Sequence, residues 1–419
     1  MKKSILFVLL FVISSAYTQD WEKRHQFAKS YFGLSNYIIT SLSNGNYLTS
    51  SNQTATFEKN GFISPAINIG ATHFWGHADF YVSINTKVIK FQEDSIDNSY
   101  SLGTFTGLRI YPLASKSNNI RPYLGYKFSP IRYRQNNLEG AIFKHTSVKS
   151  VLDVGLGILL PNSYFTLEYG RVLSPEFETY LSRDIQSTDL FPKNLFQVGL
   201  NFMIETTKSA STEINRNLNK EFSASNQYGL FFAAGPSSSF PIGTSNYVQD
   251  LYPFLDDKSF PIIFPDVALG YHFTKADIIT AFSMRPINQK RSAYDYEHQL
   301  SRKSIILETY KFLADYHGFV PYVGIGMGYE KLEFTGTNRS PIRKNQLSPA
   351  VVFGWDIRPS VKGDWWILRT NLRYYPFLKL HVENKKLSLQ HMEFNFIQFV
   401  MYPQRFSMAK NIFNQKKSK

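Results

Sequence analysis

The chain has 419 residues, of which 43% are hydrophobic, 16% aromatic and 19% charged, with 36 Phe, 26 Tyr and no Cys. That length holds two or three ordinary domains or one large barrel. The aromatic share leans toward strands, and the absence of Cys excludes disulfides, thiolate metal sites and a lipidated N-terminal Cys. A formal net charge of +14 would by itself suit a nucleic-acid binder, but the first residues argue against that partner.

Residues 1–18 have the layout of a secretory signal peptide: Lys2 and Lys3, an apolar run from Ile5 to Ile13, then small residues up to Thr18. The run is shorter than the roughly 20 residues a spanning helix needs, and no later segment is apolar enough to span as a helix. Export argues against nucleic acid, and the basic groups read first as a soluble tail and solvated loops, with basic loops that neutralise lipid phosphates near an anionic membrane surface as the alternative. Residues 19–30 read as an N-terminal lead-in.

Residues 31–204 then divide into eight strand-like runs, at 31–40, 65–74, 78–88, 100–111, 121–132, 147–160, 164–173 and 196–204. A polar linker follows at 205–227. A second set of eight runs fills 228–402, at 228–236, 261–273, 276–286, 304–314, 320–334, 347–357, 365–378 and 387–402, before a basic tail at 403–419. The two sets read as a duplication. Pro122, Tyr123 and Gly125 match Pro321, Tyr322 and Gly324 at an offset of 199, Pro65 and Gly70 match Pro265 and Gly270 at 200, and Ala78-Asp79 matches Ala276-Asp277 at 198.

Within the runs the side chains alternate. Val323, Ile325, Met327 and Tyr329 share one face and Gly324, Gly326, Gly328 and Glu330 the other. This period of two marks a strand. An apolar face long enough to meet lipid, opposed to a face of Gly and charge, is the pattern of a transmembrane barrel strand. The run from Trp365 puts Arg369, Asn371 and Arg373 on the inward set. With Lys127, Asp153 and Glu168 of the first half, these are the candidate lumen-facing residues. The last run changes phase near Gln398, where a bulge is expected. Long polar connections alternate with short ones, as outer loops alternate with periplasmic turns in such barrels. Aromatics near run ends, among them Phe74, Trp75, Tyr111, Phe273, Trp365 and Trp366, read as interface girdles.

On GLRIYP (107–112), RPYLGYKF (121–128), VPYVGIGMGY (320–329) and FQVGLNFMI (196–204) the chain resembles outer-membrane β-barrel proteins of Gram-negative bacteria, particularly the small eight-stranded kind. FQVGLNFMI is similar to the terminal strand signal that such proteins present to their insertion machinery; the true last strand lacks the Gly and is followed by basic residues. The resemblance implies an outer-membrane location, lipids and the insertion machinery as partners, extracellular long loops, and a periplasmic linker and termini.

The fold class is thus all-β, a transmembrane antiparallel up-and-down barrel. One barrel of sixteen strands is favoured, and two tandem barrels of eight strands are the alternative. The sixteen-stranded form would enclose water, whereas eight-stranded barrels would be filled by side chains. The expected function is a passive porin-like channel whose charged lining biases permeation. The alternative is a structural or adhesive barrel, plugged by salt bridges among the same residues and acting through loops such as 285–302. An enzyme ranks behind both. There is no GxSxG, HExxH, phosphate-loop or CxxC motif, and His145, His298 and His381, with Asp295 and Glu297 beside His298, are weak evidence for a base and its partner. No cofactor is expected and no metal, His73, His77 and His272 being read as turn residues.

Overall fold

The structure is a computed structural model that describes residues 27–40, 44–49, 51–93, 96–113, 119–136, 142–206, 229–243, 245–255, 262–316, 318–358, 364–408 and 410. The expected signal peptide, most of the lead-in, nearly all of the linker and the end of the basic tail lie outside these residues.

Fourteen strands precede the linker: β1 (Lys29–Ile39), β2 (Gly45–Leu48), β3 (Thr54–Phe57), β4 (Phe62–His73), β5 (Ala78–Asn85), β6 (Val88–Glu93), β7 (Ile96–Leu102), β8 (Thr104–Ile110), β9 (Ile120–Asn136), β10 (Ile142–Leu159), β11 (Ser163–Val172), β12 (Glu176–Tyr180), β13 (Gln186–Leu190) and β14 (Asn194–Glu205). Ten follow it: β15 (Leu230–Pro241), β16 (Ile262–Phe273), β17 (Ile278–Ala293), β18 (Tyr296–Phe312), β19 (Phe319–Gly336), β20 (Ile342–Ile357), β21 (Trp366–Tyr375), β22 (Lys379–Val382), β23 (Lys385–Ser388) and β24 (His391–Met401). Each of the sixteen runs read from the sequence overlaps one barrel strand, and several strands, such as β17 and β18, extend well beyond their runs.

The strands close two barrels, not one. β1, β4, β5, β8, β9, β10, β11 and β14 form an antiparallel ring in chain order, and β15 to β21 with β24 form another. The sixteen-stranded barrel favoured by the sequence is therefore corrected to the tandem pair. The reason is in the ladder: β14 pairs with β1 in unbroken register from Lys29↔Glu205 to Ile38↔Phe196. The eighth strand thereby satisfies the backbone of the first, and the first repeat has no edge left to offer β15.

The repeat is visible in the registers. Tyr31 faces Gly70 as Phe231 faces Gly270, and Tyr123 faces Gly155 as Tyr322 faces Gly354. Each ring lies where a glycine Cβ would stand, 2.4 Å from the Phe231 ring at Gly270 and 2.5 Å from the Tyr322 hydroxyl at Gly354. These inward glycines make room for aromatic side chains that fill a narrow lumen. The Ala78-Asp79 match does not survive: Ala78 and Asp79 lie in β5, whereas Ala276 and Asp277 lie in a turn, two positions out of step. The expected bulge is present in β24, where the pairing skips Phe396 and Ile397 against both neighbours, so that Asn395 and Gln398 both point inward.

Connections alternate as expected. At one end of the rings the links are turns, such as 74–77 and 274–277. At the other end stand the hairpins β2–β3, β6–β7, β12–β13 and β22–β23, a short helix at Asn246–Leu251, and long strand extensions such as the β17–β18 hairpin. Outward side chains between the two ends are apolar and exposed, for example Leu34 (66%), Leu124 (68%) and Ile325 (70%). Such a belt has no place in water and matches the lipid face of a membrane barrel.

The barrels lie side by side and meet at both ends. At the short-turn end Phe27, just before β1, packs edge-on against Phe74 and Trp75 and against Tyr316 across the interface, with centroids at 5.3, 5.1 and 5.7 Å. Phe80 meets Trp355 at 5.4 Å. Phe74 and Trp75 have left-handed backbones, φ 55° at each, a conformation costing on the order of 1–3 kcal/mol per residue. The turn is strained and holds its rings against the other barrel. At the opposite end Phe143 stacks on Tyr294 at 5.9 Å, and the Arg183 guanidinium donates to the Tyr294 carbonyl.

Candidate functional site

Three features could carry function: the two lumens, the long-loop face and the space between the barrels. Large buried side chains occupy both lumens. Among the largest fully buried side chains are Arg109, Arg121, Arg285, Arg369 and Arg373; Arg121 donates to the Gly76 and Leu113 carbonyls of two connections, and the other four are held by side chains from other strands. In the first lumen Lys127 bridges Asp153 at 2.9 Å and also contacts Glu168. Arg109 donates to Glu168 at 2.9 Å and to Asp79 at 3.2 Å, and its guanidinium lies 3.9 Å from the Tyr81 ring centre. Tyr31 and Tyr123 donate to Asp79 and Glu168 at 2.7 and 2.9 Å.

The second lumen is built in layers. Arg302 binds Glu330 at 2.7 Å and Glu393 at 2.8 Å. Below it Arg285 and Arg373 share Glu308, with Arg373 also 2.8 Å from Asp266. At the short-turn end Arg369 makes a forked bond to Asp356 at 2.7 and 2.8 Å. Charges removed from water cost several kcal/mol each unless paired and hydrogen-bonded. The strands supply that pairing because inward positions on neighbouring strands lie at one level.

The sequence-stated candidates fall into two groups. Lys127, Asp153 and Glu168 come together in the first lumen, and Arg369, Asn371 and Arg373 lie on one inward face of β21 in the second, where Arg373 contacts the Asn371 side chain. Sequence reasoning missed their partners Arg109, Asp266, Glu308 and Asp356, and beyond these Asp79, Arg285 and Glu393 of the same networks. Strand alternation could have found them, since each shares a face with a Gly or a small polar residue. Arg285 and Arg302, taken as loop ends, are lumen residues 0% and 3% exposed. The 285–302 loop is corrected to a strand hairpin whose tip is Tyr294-Asp295.

The girdle reading needs correction too. Tyr111 is buried inside the first barrel, under the Arg121 guanidinium at 4.2 Å, and Phe74 and Trp75 face the neighbouring barrel. Phe273 remains outward and exposed. The start of the basic tail is docked, Arg405 lying 3.9 Å from the Tyr402 ring and 3.2 Å from His272.

The long-loop face is ordered by buried contacts. Lys59 and Asp189 form an ion pair with both side chains sealed; burial pulls the Lys59 ammonium down, against the upward pull of Asp189. His298 is caged by Tyr247, Tyr252, Tyr296 and Phe334 at 5.4, 5.0, 5.5 and 5.2 Å. Burial, with lesser help from Arg291 and Arg339, pushes it down to about 4. His145 stacks on Phe177 at 5.6 Å, His381 is exposed on β22, and Glu297 pairs with Lys290 at 2.7 Å. Among the described residues no group of three His, Asp or Glu side chains could hold a metal ion.

Between the barrels is a cavity of about 1110 Å³. Its walls are outward side chains of both rings, including Thr104, Thr106 and Phe128 on one side and Phe240, Ile263 and Leu372 on the other. Phe177, Tyr180, Phe254 and Leu255 of the long-loop ends line the same space.

No protein-family model and no curated protein sequence matches the chain. Solved structures do. The attachment invasion locus protein Ail of Yersinia pestis, in complex with the heparin analogue sucrose octasulfate, is 13% identical with a TM-score of 0.27, over 42% of this chain and 99% of that one. An outer-membrane channel from Pseudomonas putida F1 is 9% identical with a TM-score of 0.22, over 89% and 94%. The CymD monoaromatic hydrocarbon channel is 9% identical with a TM-score of 0.20, over 89% and 88%. By its own geometry the chain is an all-β protein of two closed eight-stranded antiparallel barrels, resembling outer-membrane β-barrel proteins as a duplicated small barrel.

Proposed function

We propose that the chain is an integral outer-membrane protein that works through its long-loop face as a structural or adhesive platform, and not as a passive channel. The observation that carries this reading is the lattice of buried ion pairs in both lumens. Eight strands enclose a space that side chains fill, and here Arg, Lys, Asp, Glu and Tyr fill it, most of the described charges bonded to one another and not turned toward a water path. The alternating belt and the signal-like layout of residues 1–18 support the location, and the long loops are assigned to the outside. Exposed cations stand just beyond the belt: Lys303 lies two residues past Ile305, and its cross-strand partner Lys331 two residues past Tyr329. Two like charges facing each other are unfavourable unless an anion lies between them, which favours lipid phosphates as partners at this level.

The test is planar-bilayer recording of the refolded full chain. The expected result is conductance no higher than that of the bare membrane. Steady currents whose ion selectivity changes when Arg369 and Arg373 are replaced by Ser would restore the channel reading. In parallel, an epitope placed at Asp295 should be labelled on intact cells, and labelling only after the outer membrane is opened would reverse the assigned orientation.

A further inference from the structure

Tandem barrels could pack wall to wall, but among the described residues the aromatic contacts between these two gather at their ends, in the Phe27 cluster and the Phe143–Tyr294 stack. Between the contacts the facing walls stand apart around the cavity. The residues on those walls are of the same kind as the free belt, and several keep exposure despite the neighbour: Phe128 is 47% and Ile263 63% exposed. Its Thr104 and Thr106 hydroxyls stand on one wall and that of Ser238 on the other, among larger apolar side chains such as Phe128, Phe240, Ile263 and Leu372, so most of the lining suits hydrocarbon better than ordered water, which needs two to four polar partners. Its volume is at or above the upper end of ligand pockets, roughly 300–1,000 Å³. On the long-loop side Arg132 stands cross-strand from the lining residue Thr146, and Glu176 and Glu178 belong to the lining itself.

We infer that this cavity holds the acyl chains of a membrane lipid from the leaflet on the long-loop side, seated between the barrels with its headgroup toward Arg132. The inference rests on the membrane reading above. It commits to lipid because the walls continue the belt that meets hydrocarbon elsewhere, because long-loop aromatics line the space on the aqueous side, and because the long-loop side offers Arg132 together with acids, as a zwitterionic headgroup requires. The lipid replaces the wall-to-wall packing that the two rings lack.

The chain has no Cys, so single cysteines can be labelled without background. Thr106→Cys in the cavity and Ile325→Cys on the free belt would carry a nitroxide, in the full chain refolded into vesicles of phosphatidylethanolamine and phosphatidylglycerol. Collisions with dissolved oxygen report hydrocarbon, and collisions with a water-soluble nickel chelate report water. Both labels should favour oxygen over the chelate. If the Ile325 label meets the chelate, the membrane reading itself fails. If Ile325 is in hydrocarbon while the Thr106 label meets the chelate, or is shielded from both probes, the cavity is wet or closed and the inference fails alone. As a second measurement, native mass spectrometry after detergent exchange should find lipid retained by the wild type and lost at least tenfold from the Thr106→Trp/Ser238→Trp variant. Equal retention by the two would mean that the lipid sits elsewhere on the belt.

Discussion

Lys127→Met is the sharpest probe of the plugged lumen. Lys127 is 1% exposed and is the cation that faces Asp153, whereas Glu168 keeps Arg109 at 2.9 Å and Tyr123 at 2.9 Å when Lys127 is gone. The substitution keeps the length of the side chain and leaves Asp153 as a buried carboxylate without its cation. Removing one partner of a buried pair costs about 3–5 kcal/mol. With a denaturant slope of about 2–3 kcal/mol/M in urea, the unfolding midpoint of the refolded protein should fall by about 1–2.5 M, followed by Trp fluorescence. Asp153→Leu alone should cost less, because Lys127 still has Glu168. The double variant Lys127→Met/Asp153→Leu should recover much of the loss, with a coupling of at least 1 kcal/mol, within the range seen for residues in one network. A Lys127→Met midpoint within experimental error of the wild type, or single effects that simply add, would refute the claim that this pair closes the lumen.

Other outcomes follow from the same geometry. At Gly107 an added Cβ would lie 2.7 Å from the Tyr81 ring, so Gly107→Ala should destabilise by about 1–3 kcal/mol, as overpacking does, and Tyr81→Leu should relieve most of it in the same urea assay. Lys59→Met strands Asp189 beneath the β12–β13 hairpin; protease nicking in the long loops should rise while the barrels keep their heat-resistant migration in gels, and loss of both would mean that the cap and the barrel are one unit. Replacing residues 290–298 by a short turn, which spares Arg285 and Arg302, should abolish surface or lipid binding and leave folding intact. His298, ordinarily near 6.5, lies at about 4 in the fold, so the folded state binds fewer protons than the unfolded. The stability it lends the loop cage is present above about pH 6.5 and is lost as pH falls toward 4. Hydrogen exchange in the β17–β18 hairpin should accelerate across that window in the wild type and stay flat in His298→Phe, and equal profiles would remove His298 from the explanation.

The sequence determined what is local. A strand shows its two faces at every second residue, so Val323, Ile325 and Met327 could be assigned outward, and Arg369 and Arg373 inward, with no knowledge of the neighbouring strands. The long and short connections could be sorted because turns are short and polar, and the phase change near Gln398 marked the bulge because one extra residue reverses the alternation. Only the tertiary structure decided which strands close on which. Runs 31–40 and 196–204 look alike whether they meet each other or separate neighbours in a larger ring, because ladder bonds are made by backbone and leave little trace in side-chain order. The same limit hid the partners of Lys127 and Arg373, which lie far along the chain. It also hid the part played by Phe74 and Trp75, rings that a lipid boundary or a second barrel would accept equally well. Closure after eight strands shrinks the lumen to the width of its side chains, and that turns charges that could have lined a pore into a plug.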